Sequence, residues 1–162
     1  INVGLVGSEM CIRDSPDLYE EFEGNKYSHA CPFARIMEGE YAASITQIGI
    51  RTLNDHQKEQ AEKYNVNIID MKNISDAYNL ELNDPVYLSF DMDVLDPAFA
   101  PGISHYEPGG LSVREVLSII QNLNCKIIGA DIVECNPIRD INNMTAMAAA
   151  KILKEISAKI IS

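Results

Sequence analysis

Basic residues are scarce in this chain: 13 lysines and arginines stand against 24 aspartates and glutamates, a formal net charge of -11 over 162 residues. A nucleic-acid or anionic-membrane surface would have to be built against that field, so neither partner is expected. Metal ions and guanidinium or amine compounds suit it better. Cysteine is also sparse. Cys11, Cys31, Cys125 and Cys135 form no C-x-x-C pair and are too few for a disulfide framework. They read as buried free thiols in a reducing compartment, by default the cytoplasm, with an organelle as the alternative. No apolar run nears the roughly 20 residues that span a bilayer. No glycine-rich loop follows a strand to cradle a nucleotide's phosphates. The opening residues lack the basic region and apolar stretch of a signal peptide.

With 46% hydrophobic and 23% charged residues, the chain has the makings of one globular domain with a real core. From Pro16 onward, helix-like and strand-like segments alternate with short connections, which is the pattern of an α/β fold with a parallel sheet covered by helices. Strands are expected over 44–50, 66–71, 86–90 and 126–134. Helices are expected over 28–41, from an Asn54 cap to about Tyr64, and over 112–123, where Ser112 and Glu115 form a capping box. A last helix follows a cap at Asn142 or Asn143, with Met144, Ala148, Ile152, Ile156 and Ile160 as its apolar stripe. Residues 72–84 read as an irregular connection with one helical turn.

Asp91 and Asp93 stand two apart at the end of the apolar run Val86-Tyr87-Leu88-Ser89-Phe90. Residues two apart on a strand share a face, and open α/β sheets hold ligands at the carboxyl ends of their strands. Neighbouring carboxylates repel each other unless a cation sits between them. Oxygen-rich ligation with some imidazole suits manganese or magnesium. The plainer alternative is a D-x-D pair that solvates a turn begun by Asp96-Pro97. A D-x-D that holds a cation against a nucleotide diphosphate is disfavoured by the missing phosphate loop.

The longer run Ser89-Phe90-Asp91-Met92-Asp93-Val94-Leu95-Asp96-Pro97, with Pro101-Gly102 and Gly110 beyond it, resembles the signature of the ureohydrolase (arginase/agmatinase) family. Pro16-Asp17-Leu18-Tyr19 and the stretch Phe22 to His29 look like that family's second metal segment and the approach to its catalytic histidine. Phe33 to Glu38 and Ala100 to Gly110 are most similar to plant-type arginases and bacterial agmatinase-like members. The resemblance implies a partial three-layer arginase-like fold, a homo-oligomer and two manganese ions per active site. It makes Asp17, Asp91 and Asp93 metal ligands, His29 the catalytic proton shuttle and Glu134 the partner of the substrate guanidinium, with His29 and Glu134 both touching substrate. Two metals about 3.5–4 Å apart can lower the pKa of a bridging water and aim it at a trigonal carbon.

The implied reaction is hydrolysis of agmatine to putrescine and urea, with arginine to ornithine and urea as the alternative. Leu18-Tyr19 stands where animal-type arginases carry polar residues for an amino-acid head group, which favours agmatine; the loop around His105 favours arginine. His105 is expected to line the pocket without ligating metal, and His56 to be solvated on a polar helix. The family's metal site also needs an upstream histidine and an Asp-x-His before Pro16-Asp17, but Arg13, Asp14 and Ser15 occupy those positions. Residues 1–15 therefore read as a non-native leader, Val6 to Ser15 resembling translated sequencing adapter, and residues 16–162 as the C-terminal part of a single ureohydrolase domain. Such a chain is expected to be inactive, with exposed sheet edge. A metal-deficient, non-catalytic subunit of the same fold is a further alternative.

Overall fold

The computed structural model describes residues 6–82 and 85–161. Positions 1–5 of the expected leader, and 83 and 84 of the expected connection, lie outside them. Five strands are described: β1 (Val6–Ile12), β2 (Ala42–Ile50), β3 (Asn67–Asp70), β4 (Val86–Asp91) and β5 (Ile127–Val133). They form one sheet in the order β3-β2-β1-β4-β5, and every neighbouring pair is parallel. The helices are α1 (Pro32–Glu38), α2 (Asp55–Lys63), α3 (Val113–Asn122) and α4 (Met144–Ile161).

Parallel strands need crossovers, and the crossovers bury both faces of the sheet. On one face, Met10, Ile12, Leu88 and Phe90 pack with Val116, Ile119 and Ile120 of α3 and Ala148, Ile152 and Ile156 of α4. On the other, Cys11 and Ile45 meet Leu18, Phe33 of α1 and Ala61 of α2. Each fully buried side chain of this size contributes about 1.5–3 kcal/mol. The expected three-layer α/β arrangement is thus present.

The capping chemistry read from the sequence is realised at two helices. The Asn54 side chain accepts from the Gln57 N–H at 2.8 Å and the Gln57 side chain accepts from the Asn54 N–H at 3.3 Å. Ser112 and Glu115 make the same reciprocal pair at 3.2 and 2.7 Å. At α4 the cap differs from expectation. Asn142 and Asn143 take left-handed backbone angles, and it is the Asp140 carboxylate that accepts from the Thr145 and Ala146 N–H groups, at 2.9 and 3.0 Å. The stripe on α4 is also shorter, since Met144 and Ile160 are exposed. Steps of four residues overshoot a 3.6-residue turn by about 40°, so a stripe spaced 4-4-4-4 winds off the core at its ends. The first expected helix shrinks to seven residues because Pro32 opens it and Gly39 ends it.

One strand was not legible. β1 lies before Pro16, where no strand is expected, yet it occupies the centre of the sheet with Met10, Cys11 and Ile12 wholly buried. Its middle is polar, and Ser8 and Glu9 are buried as well. Ser8 finds a partner in the Ser44 hydroxyl at 2.9 Å, so the pattern that hides the strand in the sequence is satisfied only by neighbouring strands. Of the four free cysteines, Cys11 and Cys31 are buried as expected, whereas Cys135 is exposed. β5 forms an edge, with Ile128 and Val133 partly exposed.

Strand order decides where a ligand can sit. The chain builds outward from β1 to β2 and β3, then returns to lay β4 and β5 on the other side. The loops leaving β1 and β4 therefore part in opposite directions, which opens a crevice at their carboxyl ends.

Candidate metal and substrate site

Loops after β1, β2, β4 and β5 converge on that crevice, which encloses about 650 Å³. Asp17, His29, Asp91, Asp93 and Glu134 all line it, together with Asp14, Ser104, His105 and Glu107. The five residues singled out in the sequence are brought to one place from three separate loops and the end of one strand.

Asp91 ends β4, but Asp93 is not on the strand. It lies on a 3-10 turn, Met92–Val94, and its N–H donates to the Asp91 carboxylate at 2.8 Å. The two acids share the crevice because the turn folds back, not because of strand alternation. Close approach holds that turn in place. Gly110 lies so near it that a Cβ there would stand 2.6 Å from the Val94 carbonyl oxygen and the Asp96 nitrogen. Gly49, at φ +94°, gives Val94 similar room. Arg51, which carried no signal in the sequence, ties the turn down: it donates to the backbone carbonyls of Asp93 at 2.7 Å, Val94 at 3.2 Å and Glu107 at 3.0 Å. Asp17 and Glu134 adopt left-handed backbone, φ +47° and +62°. For residues other than glycine that conformation is strained, and both sit at the crevice.

Every carboxylate oxygen of the three expected ligands meets a polar group of the protein. Asp17 accepts from the Ser15 hydroxyl at 2.5 Å and from the Arg13 guanidinium. Asp91 accepts from the Asp93 N–H and, at 3.0 Å, from the same Arg13 guanidinium. Asp93 accepts from the Ser104 N–H at 3.0 Å and faces the His105 Nδ1 at 3.1 Å. Burial pushes the Asp91 carboxyl well above the usual range, with Arg13 pulling against it and Asp93 adding to it. Burial likewise raises Asp17, opposed by Arg13, and Asp93, opposed by the His105 hydrogen bond. For Arg13, burial works against the charge, but Asp17 and Asp91 outweigh it and the guanidinium is held charged.

Two groups of possible donor atoms lie within 4.8 Å of one another: Asp14 with Asp91 and Asp93, and Asp93 with His105 and Glu134. Asp17 belongs to neither, and Asp14, which stands at a spacer position in the sequence pattern, takes its place. His105 lines the crevice as expected and in addition meets Asp93. His29 stands exposed on the rim, its ring edge-on to Phe22 with centroids 6.2 Å apart. His56 is only half-solvated: it stacks on Tyr19 and accepts from the Glu20 N–H at 3.5 Å.

The arginase family model matches residues 16–158. The chain belongs to the arginase family. It is 53% identical over 153 residues to the mitochondrial arginase 1 of Arabidopsis thaliana, covering 90% of this chain and 45% of that protein. To the agmatinase of Bacillus cereus it is 32% identical over 146 residues, covering 86% of this chain and 50% of that protein. The solved arginase of Medicago truncatula superposes with a TM-score of 0.89 at 46% identity, over 94% of this chain and 51% of that one. The chain spans about half the length of the curated relatives it matches.

Arginase-family proteins are metal-dependent ureohydrolases, and the donor set here can be tested against that chemistry. An acidic, oxygen-rich crevice suits a hard divalent ion. An ion held by both Asp17 and Asp91 does not fit. The position between Asp17 and Asp91 is filled by a buried guanidinium, and the histidines near the acids are one exposed rim residue and one already paired with Asp93. Among the described residues no helix is long and apolar enough to cross a membrane.

Proposed function

We propose that the complete enzyme of which these residues form part hydrolyses the guanidino group of arginine, giving ornithine and urea. The sequence motifs put agmatine first. The higher identity to an arginase, 53% against 32% to an agmatinase, favours the reverse order. The observation that carries a guanidino substrate is Glu134, whose carboxylate converges with Asp93 and His105 at the carboxyl end of β5. A planar guanidinium can pair side-on with such a carboxylate, which fixes the orientation of its central carbon. Hydrolysis adds water across the bond from that carbon to the amine nitrogen, and the departing amine takes up a proton. His29, an exposed imidazole on the rim, is our candidate to carry that proton. Asp17, Asp91 and Asp93 remain the proposed acidic floor.

Urea release by the complete enzyme from arginine and from agmatine tests this reading. Arginine is expected to be preferred at least tenfold in kcat/KM, and equal rates or a preference for agmatine overturn the assignment. The 162-residue chain alone is expected to release no urea above background, because Arg13 occupies the position between Asp17 and Asp91. A native Arg13 would also favour a second reading, a metal-deficient, non-catalytic member of the fold, under which even the complete protein releases none. The mitochondrial name of the Arabidopsis relative favours an organelle over the cytoplasm.

A further inference from the structure

Arg13 is the least expected group at the bottom of the crevice. It is 4% exposed, and its guanidinium reaches carboxylates from two different elements, Asp17 in the loop after β1 and Asp91 at the end of β4. The same group lies over the Phe33 ring, 4.5 Å from its centroid, and donates through Nε to the Ser15 carbonyl. An aromatic face below, carboxylates at the Nη2 end and a backbone carbonyl at Nε hold the plane of the guanidinium in one orientation. This is a cation binding site already filled, by a cation covalently attached to the chain.

A divalent ion entering between Asp17 and Asp91 would meet a fixed like charge at contact distance in a largely buried site, where repulsion is screened less than in water. It would also have to displace the guanidinium from its Phe33 stack and leave Arg13 buried with no carboxylate. Neither outcome is favourable, because arginine cannot shed its proton to make room. We propose that Arg13 is a resident counter-cation that takes the place of one metal ion in this crevice, so that the chain holds at most one manganese ion where its fold family is expected to hold two. One of the two acid charges is offset without metal, so the acidic turn can fold in metal-free solution. The choice of manganese as probe rests on the ureohydrolase reading of the crevice; the stoichiometry does not depend on which substrate, if any, is bound.

The test titrates manganese alone into the metal-free chain, by calorimetry for stoichiometry and by electron paramagnetic resonance for coupling between ions. Wild type is expected to bind no more than one ion per chain and to show no exchange-coupled signal. Arg13→Met, which keeps the bulk and removes the charge, is expected to bind one ion more than wild type. Arg13→Lys, which keeps the charge, is expected to match wild type. Two coupled ions on wild type, or equal stoichiometry in wild type and Arg13→Met, overturns the proposal. Should Arg13→Met not fold without metal, recovery of its unfolding transition on adding manganese supports the proposal, and no recovery counts against it. A chain that binds one manganese ion, from a complete enzyme that ignores arginine, upholds the counter-cation and defeats the substrate assignment. Two ions with arginine hydrolysis do the reverse.

Discussion

The Arg13 guanidinium donates to the Asp91 carboxylate at 3.0 Å, with side-chain exposures of 5% and 3%, across 78 residues of sequence. Breaking such a buried pair from one side leaves a charge without compensation, which costs about 3–5 kcal/mol. Arg13→Ala is therefore expected to lower the free energy of unfolding by that amount in metal-free buffer. Denaturant titration measures it, and a loss under about 1 kcal/mol would show that the pair is not holding the acids together.

Glu134→Gln keeps shape and removes charge. If this carboxylate pairs with a guanidinium, the complete enzyme should lose about 2–3 kcal/mol of binding, roughly a hundredfold in kcat/KM for arginine. Thermal unfolding should stay within the error of wild type, since Glu134 makes no ion pair among the described residues. Wild-type turnover in the variant would remove Glu134 from the site.

Glu9, on β1 four residues before Arg13, supplies a pH dependence. Burial, with Asp131 opposite, raises its pKa from 4.5 to about 7. The folded state then binds a proton more tightly than the unfolded chain. The stability this contributes is complete below pH 4.5 and is lost as pH rises through about 7. The shift is worth roughly 3 kcal/mol. Unfolding midpoints measured from pH 5 to pH 8 should fall in wild type and flatten in Glu9→Gln. Parallel curves for the two proteins would assign the slope elsewhere.

Gly110 backs the turn that carries Asp93. A methyl group there meets backbone atoms at 2.6 Å, and backbone cannot swing aside as a side chain does. Gly110→Ala is expected to cost about 2–3 kcal/mol, at the upper end of overpacking, and to displace the Asp93 turn. A crystal structure or an unfolding curve indistinguishable from wild type would disprove the close approach.

Most of the fold was legible because local rules and burial agree. Val86–Asp91 is an apolar run ending in an acid, and it is a strand buried on both faces. Asn54 and Ser112 sit three residues before Gln57 and Glu115, and both pairs cap the N-termini of their helices. Legibility failed where a residue is satisfied by something distant. Ser8 and Glu9 broke the apolar run of β1, so the central strand could not be seen until Ser44 and the neighbouring strands were in place. Arg51 gave no sign of clamping the Asp93 turn, because its acceptors are backbone carbonyls that any sequence would supply.

The sequence by itself determined the α/β class, the family, the crevice-lining acids Asp17, Asp91 and Asp93, and the position of Glu134. The class follows from alternating helix-like and strand-like segments, and the family and the acids follow from motifs that resemble the ureohydrolase signature. Only the tertiary structure decided what neutralises the acids. Charge compensation depends on distance through space in a medium that screens weakly, and Arg13 lies beside Asp91 because β1 and β4 are neighbours in the sheet.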